Sequence, residues 1–583
     1  MENRGWTLGK YIPQPPGLTK SSPGVERGIG GNHPPSSILH PRFSFHPSIF
    51  HLPSSIFIAL LLFATPSSAN NLRITNVTME DRTVSGSVTN LKVKFDIAWD
   101  NSWRNSTNHD GVWLIVRLID AANPTCQKNL IASGINPQGT SVGSNQDLEL
   151  AVSPDTEGAL IRRKSQGSGG VSSSGVELTV TDIYGAGCTV SSTTSISAKV
   201  VGVEMVFVPT GPFYVGNSTD GTGTEGAFLG YTNLPWYISS EAAIQLTSTS
   251  GAYYYVAPPT SNSVNSAERA STGATADIPA AFPKGYQSFY CMKYEVTEGL
   301  YVEFLNSLNA TQQAARDITT DKGDSVVYRN TVSGSAGGTS TSYSTSRPDR
   351  AMSYMSWTDL AAVLDWFALR PMTELEFEKV ARGPNAVVPG ETVWGVATSY
   401  RPLASFDVSP ESGNESPGAP ADANIRYNDT TLSEGDAFLG APTLYKKGPV
   451  RAGLFARSDS TRNTSGAGYY GAMELSGNVA EYVAYVIALS TDAFWYTGNH
   501  GDGDVTTSST IGFANVAYWP GIDASGYVTK ATFSGLRGGS WVETSLEYYL
   551  ANRTWAAAGS LKRRNNWGGR GVRTCEGAGF CVP

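Results

Sequence analysis

The sequence predicts an all-β sandwich domain over residues 70–200, followed over 201–583 by a second domain in which short strands and helices mix. Three observations carry this. Apolar and polar residues alternate with a period of two through "LKVKFDIAW" (91–99) and again through "GVELTVTDIYG" (175–185), and no helix-period segment lies between them. From residue 203 the pattern changes to a strand, a Pro/Gly turn and a second strand, "VEMVFVPTGPFYVGN". Farther on, Ser356 with Asp359 and Thr373 with Glu376 form two pairs of the kind that satisfy the free N–H groups of a helix start.

Composition narrows the function classes. A chain of 583 residues with 40% hydrophobic and 10% aromatic residues has material for roughly two to four domains. The formal net charge of -8 argues against a nucleic-acid partner, since phosphate binding needs a dominant basic face. Only 16% of residues are charged, and 5 cysteines at this length do not make a disulfide scaffold.

Taken in order, residues 1–69 read as a presequence. "IFIALLLFA" (56–64) is too short to cross a bilayer, and the small residues of "TPSSA", ending at Ala69, suit signal peptidase. The Pro/Ser/Gly-rich stretch before it exceeds an ordinary n-region, which points to a start of translation downstream of Met1 at an unusual start codon. The alternative is a disordered pre-sequence ahead of a buried apolar strand. No later stretch approaches a membrane span, so the mature chain is expected to be secreted or held at the cell surface. In 70–200, "GVWLIVRLID" (111–120) reads as a buried strand, and strands separated by Gly/Ser/Asn loops point to a sandwich. Cys126 and Cys188 either pair across it or stay unpaired. With one lone histidine, His109, this domain reads as a spacer or docking module that folds independently. After residue 217 a polar stretch running to about 283 reads as an insertion. Thr297 then caps a helix with Tyr301, Phe304 and Leu305 on one face, and Gly383 ends the helix that Thr373 starts.

The motifs "VPTGPFYVGN", "YEVTEGLYVEFLN", "MSYMSWTDLAAVLDW", "LRPMTELEFEKVARG", "LSGNVAEYV", "LRGGSW" and "GGRGVR" follow one another as they do in the formylglycine-generating enzyme, or sulfatase-modifying factor, family. The resemblance spans about 201–582. It implies a C-type-lectin-like α+β fold, with two helices packed on small irregular antiparallel sheets. In the family's enzymes, two cysteines after the "GGS" motif bind copper and oxidise a substrate cysteine, the thiolate being both the soft ligand and the redox handle. By the resemblance those positions fall on Glu543 and Tyr548, and neither can replace a thiolate. Cys291 sits in an early strand. Cys575 and Cys581 lie beyond the "GGRGVR" strand, where pairing with each other is the simpler reading. The family's iron-dependent, sulfoxide-forming branch relies on a separate histidine-bearing domain, which 6 histidines in all do not support. The expectation is therefore the fold without the reaction. The alternative is a copper-dependent formylglycine-generating oxidoreductase with a rearranged site at Cys291 or the Cys575/Cys581 pair.

The stretch 536–573 also resembles the variable segment of proteins diversified by retroelements, which runs from an "RGGSW"-like frame to a "GVR"-like strand and is rewritten at template adenines. Its Asn, Tyr, Ser and Thr suit randomised adenine-containing codons, whereas Glu543 and Trp555 need another template. Tyr, Trp, Ser, Asn and Arg are also the alphabet of binding surfaces. The expected exposed ligand-binding residues are Val542, Glu543, Thr544, Ser545, Glu547, Tyr548, Tyr549, Thr554, Trp555, Leu561, Lys562, Arg563, Arg564, Asn565 and Asn566, with Trp541 and Trp567 in the core. The partner expected is a protein or glycan on another cell or surface. No cofactor is required on this reading. The resemblance points to one structural ion, a Ca²⁺ held by Asn478 and Glu481, against the alternative of a capping Asn and a Glu paired with an Arg. "GNHGDGDV" (498–505) reads as an oxygen-rich loop through Asp502 and Asp504, or as a plain Gly/Asp turn.

Overall fold

The computed structural model describes residues 71–581, apart from 86–87, 121–126, 130–134, 181–194, 219–225, 231–233, 249–250, 256–274, 338–341, 407–414, 428–446, 458, 487–495, 508–509, 544–545 and 578. The expected leader, Cys126, Cys188, Thr544 and Ser545 lie outside the described residues.

The period-two reading of the first part is realised in its burial. Along β2 (Val88–Arg104), Leu91, Val93, Phe95, Ile97 and Trp99 are buried while the residues between them are half-buried. β2 is an interior strand of a four-stranded antiparallel sheet in the order β1 (Arg73–Ser85), β2, β8 (Gly167–Val180), β5 (Ile135–Ser141). Its apolar side meets one side of a second sheet containing β3 (Asp110–Asp120), β4 (Gln127–Asn129), β6 (Leu148–Val152), β7 (Ala159–Arg163) and β9 (Ile196–Val208). Val93 and Phe95 of β2, Val112 and Leu114 of β3, and Leu178 of β8 belong to one core cluster.

β3 is buried on both sides because it serves two cores. Val112, Leu114 and Val116 pack toward the four-stranded sheet, whereas Trp113 and Ile115 join the large core of the second part. β9 links the two parts in the same way, pairing with β3 from Ile196 to Val206 and with the strand Phe289–Met292 from Met205 to Val208. One eight-stranded sheet thus runs from Arg370–Pro371 through Gly571–Thr574, Phe289–Met292, β9, β3 and β7 to β6, with β4 beside β3. The expected boundary at 200/201 falls inside β9 and is corrected: a 13-residue strand crosses it, so 70–200 and 201–583 share a sheet.

The stretch up to residue 283, expected as a polar insertion without a period, contributes to the core. Phe228, Trp236, Ile238, Leu246, Tyr255 and Ile278 are buried in the main core. The polar residues between them hid short strands such as Trp236–Ile238 and Ile244–Leu246.

The helices start where their capping residues stand. α1 (Glu298–Ser307) is capped by Thr297 and buries Tyr301, Phe304 and Leu305. α2 (Ala310–Arg316) and α3 (Thr319–Lys322) follow. α4 (Trp357–Trp366) and α5 (Glu374–Arg382) begin with the Ser356/Asp359 and Thr373/Glu376 capping boxes, and Gly383, at φ 66°, ends α5. Every residue of α4 and α5 is buried, charged ones included. α5 therefore carries its Glu and Arg side chains into ion pairs within the core.

Candidate functional site

Both ends of the segment 536–573 return to one strand. Ala480–Ala484 pairs antiparallel with Ser534–Arg537 and parallel with Trp567–Gly568. The backbone between is thus held at a fixed base. Gly538 and Gly539 turn the chain out of the first strand at φ 83° and 66°, and a Cβ on Gly538 would lie 2.3 Å from the Leu475 carbonyl oxygen. Gly568 and Gly569 do not have positive φ. Close packing demands them instead, a Cβ on Gly568 lying 2.5 Å from the Met352 carbonyl oxygen and one on Gly569 lying 2.6 Å from Leu360.

The interior of the segment is anchored at several points. Trp541 is buried, its indole N–H donating to the Asn565 carbonyl at 3.2 Å. Arg537 pairs with Glu374 and Glu378 of α5, and Arg553 pairs with Glu374 at 2.7 Å; all are buried. Arg563 reaches Asp359 of α4 at 2.7 Å and Asp321 of α3 at 2.8 Å. Burial opposes the charge on Asp359, yet Arg563 and Arg316 hold its carboxyl down to about 2. Arg553 and its role escaped sequence reasoning because the partner, Glu374, lies far away in the chain; only the capping box signalled that α5 starts there.

Exposure differs from expectation within the segment. Glu547, Thr554 and Asn566, expected at the surface, are buried. Glu547 accepts from the Tyr427 hydroxyl at 2.8 Å, and Asn566 donates to Ser540 Oγ and Glu543 Oε1 at 3.1 and 3.0 Å. Val542, Glu543, Tyr548, Tyr549, Trp555, Arg563 and Asn565 are half-buried, whereas Leu561, Lys562 and Arg564 are exposed. Two faces result. Tyr548 stacks on Tyr400 and Tyr549 with ring centroids 4.5 and 4.4 Å apart. Leu561 to Arg564 instead line a cleft of about 610 Å³ together with Arg316, Asp321 and Phe513.

Glu543 and Tyr548, the positions on which the resemblance would place two thiolates, have other surroundings. Glu543 accepts from the Ser540 N–H at 2.7 Å and from Asn566, and burial pushes its carboxyl up. Tyr548 lies in the aromatic stack. Cys291 is fully buried in Phe289–Met292, burial raising its thiol to about 12, and Cys575 is joined to Cys581 in a disulfide. These oxygen and aromatic groups do not fit a copper ion that needs paired thiolates.

Asn478 donates to Glu295 and accepts from the Val450 N–H at 2.8 Å, and Glu481 receives Arg570 on both carboxylate oxygens at 2.6 and 2.7 Å. A calcium ion at this pair would have to compete with a buried guanidinium. In the 498–505 loop, the Asp504 N–H donates to Asp502 Oδ1 at 3.0 Å, and the Asp502 N–H donates to Asp365 Oδ1 of α4 at 3.0 Å, a turn whose N–H groups are met by carboxylates. Among the described residues, no group of three or more His, Cys, Asp or Glu side chains is placed to hold a metal ion, and no helix is long and apolar enough to cross a membrane.

No curated protein matches the chain. A family model, the sulfatase-modifying factor enzyme 1-like domain, matches residues 263–575, a narrower span than the motifs suggested but one that includes α1, α4, α5, the strand Ala480–Ala484 and the whole segment 536–573. With more than half of its length in that match, the chain belongs to the sulfatase-modifying factor enzyme 1-like domain family.

Proposed function

We propose that this family member binds a ligand and does not convert cysteine to formylglycine. The observation that supports the reading is the Ser540–Glu543–Asn566 hydrogen-bond network at the position on which the resemblance would place a copper-binding thiolate. On this reading the protein is secreted or surface-held. Its second part is a C-type-lectin-like frame, β1–β9 supply a sandwich-like support, and 536–573 is a binding segment diversified by a retroelement. No cofactor takes part. The partner is a protein or glycan on another cell or surface.

Two experiments test it. Incubation with copper and a cysteine-containing sulfatase peptide should leave the cysteine intact; conversion to an aldehyde would return the chain to the enzymes. DNA flanking the gene should contain a near-copy of the coding segment for 536–573 beside a reverse transcriptase, with mismatches at template adenines. Without that copy, an ordinary secreted lectin-like binding protein remains.

A further inference from the structure

We infer that the cleft beside Leu561–Arg564 binds an acidic peptide segment of a protein partner, one that presents an apolar side chain next to its carboxylates. The inference rests on the ligand-binding reading above and names the ligand class.

The charge balance of the cleft is opposite to that of the chain. The chain carries a net charge of -8. Along the cleft, Arg316, Lys562, Arg563 and Arg564 face a single lining carboxylate among the described residues, Asp321. Two of these cations are committed: Arg563 and Arg316 both bind Asp359, Arg316 at 3.0 Å. Lys562 and Arg564 are exposed and form no ion pair among the described residues. The Arg564 guanidinium lies over the Trp567 ring, 5.0 Å from its centroid, which orients it without neutralising it. Because Arg563 is tied down between them, Lys562 and Arg564 are presented from a fixed backbone, and the Tyr354 N–H fixes the Arg564 carbonyl at 2.8 Å.

The apolar element decides between ligand classes. Leu561 is 54% exposed at the lip, and it also borders a second hollow of about 460 Å³ lined by Tyr485, Phe533 and Ala557. On the cleft side, Phe513 packs against Arg316, 4.1 Å from ring centroid to guanidinium carbon. A polyanionic glycan would meet the cations and leave Leu561 in water. A peptide with Asp or Glu beside Leu or Phe satisfies both at once.

The full chain is tested by fluorescence anisotropy with three probes: a labelled Glu/Asp peptide with a central Leu–Phe pair, the same peptide with Gln/Asn, and a sulfated polysaccharide. The acidic peptide should bind, weaken with rising salt, and lose on the order of tenfold affinity in the Lys562→Glu/Arg564→Glu double variant and severalfold in Leu561→Ser. These side chains are exposed, so the variants should keep the wild-type unfolding temperature. Equal binding of the neutral peptide, unchanged affinity in the double variant, or no binding of the acidic peptide to the folded chain would each overturn the inference. Binding of the polysaccharide alone would overturn the ligand class while leaving a binding segment in place. Aldehyde formation in the copper assay would instead remove the reading on which it rests.

Discussion

Glu474 sits in a left-handed backbone conformation, at φ 54°, with its side chain buried. One carboxylate oxygen accepts from the Gly453 N–H at 3.0 Å, and the other has no hydrogen-bond partner among the described residues. Burial pushes the carboxyl up to about 7 despite nearby Arg570 and Arg451. A carboxylate whose folded pKa lies above its unfolded value binds more protons when folded, so stability falls as pH rises from about 4.5 to about 7 and then levels. Glu474→Gln should therefore unfold at higher denaturant concentration than the parent above pH 7, by on the order of 2 kcal/mol, and differ little near pH 4.5. Denaturant titrations at the two pH values check this. A variant that is weaker at the higher pH would mean that the arginines keep the carboxylate charged. Cys291 offers a second residue-scale test. With its thiol raised to about 12 and no exposure, it should resist a thiol reagent in the native chain and react only after unfolding, as peptide mapping by mass spectrometry would read.

At the scale of an element, α5 ties the segment to the core. Glu374, in its first turn, receives both Arg537 from the base of the segment and Arg553 from its interior. Glu374→Gln leaves Arg553 buried without its carboxylate, while Arg537 retains Glu378. The expected loss is about 3–5 kcal/mol, measured by chemical denaturation, because an unpaired buried charge costs more than the pair contributes. Thr373→Ala should cost about 1–2 kcal/mol, since Thr373 caps α5 through the Glu376 N–H and donates to the Pro283 carbonyl. A loss as small as that of an exposed polar substitution would show that the helix start is held by its packing alone. Within 536–573, variation is therefore tolerable at Leu561, Lys562 and Arg564, and costly at Arg553 and Arg563.

At the scale of the molecule, β3 and β9 make the two parts one folding unit. A fragment ending at residue 200 would cut β9 in its middle and strip Trp113 and Ile115 of the core they join. Such a fragment should lack a cooperative unfolding transition and be cleaved rapidly by protease, contrary to the independent folding that its alternating pattern suggests. A stable fragment with a sharp transition would show that β1–β8 and the start of β9 suffice.

Local chemistry was legible in the sequence by itself. Helix starts at Thr297, Ser356 and Thr373, the stop at Gly383 and the alternation along β2 each depend on residues a few positions apart. The ordered motifs pointed to the family for the same reason. Tertiary structure decided what depends on distant partners. Glu547 is buried because Tyr427 meets it, Asn566 because Ser540 and Glu543 do, and 536–573 has a fixed base because both of its ends pair with Ala480–Ala484. The polar stretch before residue 283 hid core residues because short strands carry too few alternations to show a period. Long-range pairing sets burial, and no local pattern of residue types records which distant side chain will arrive.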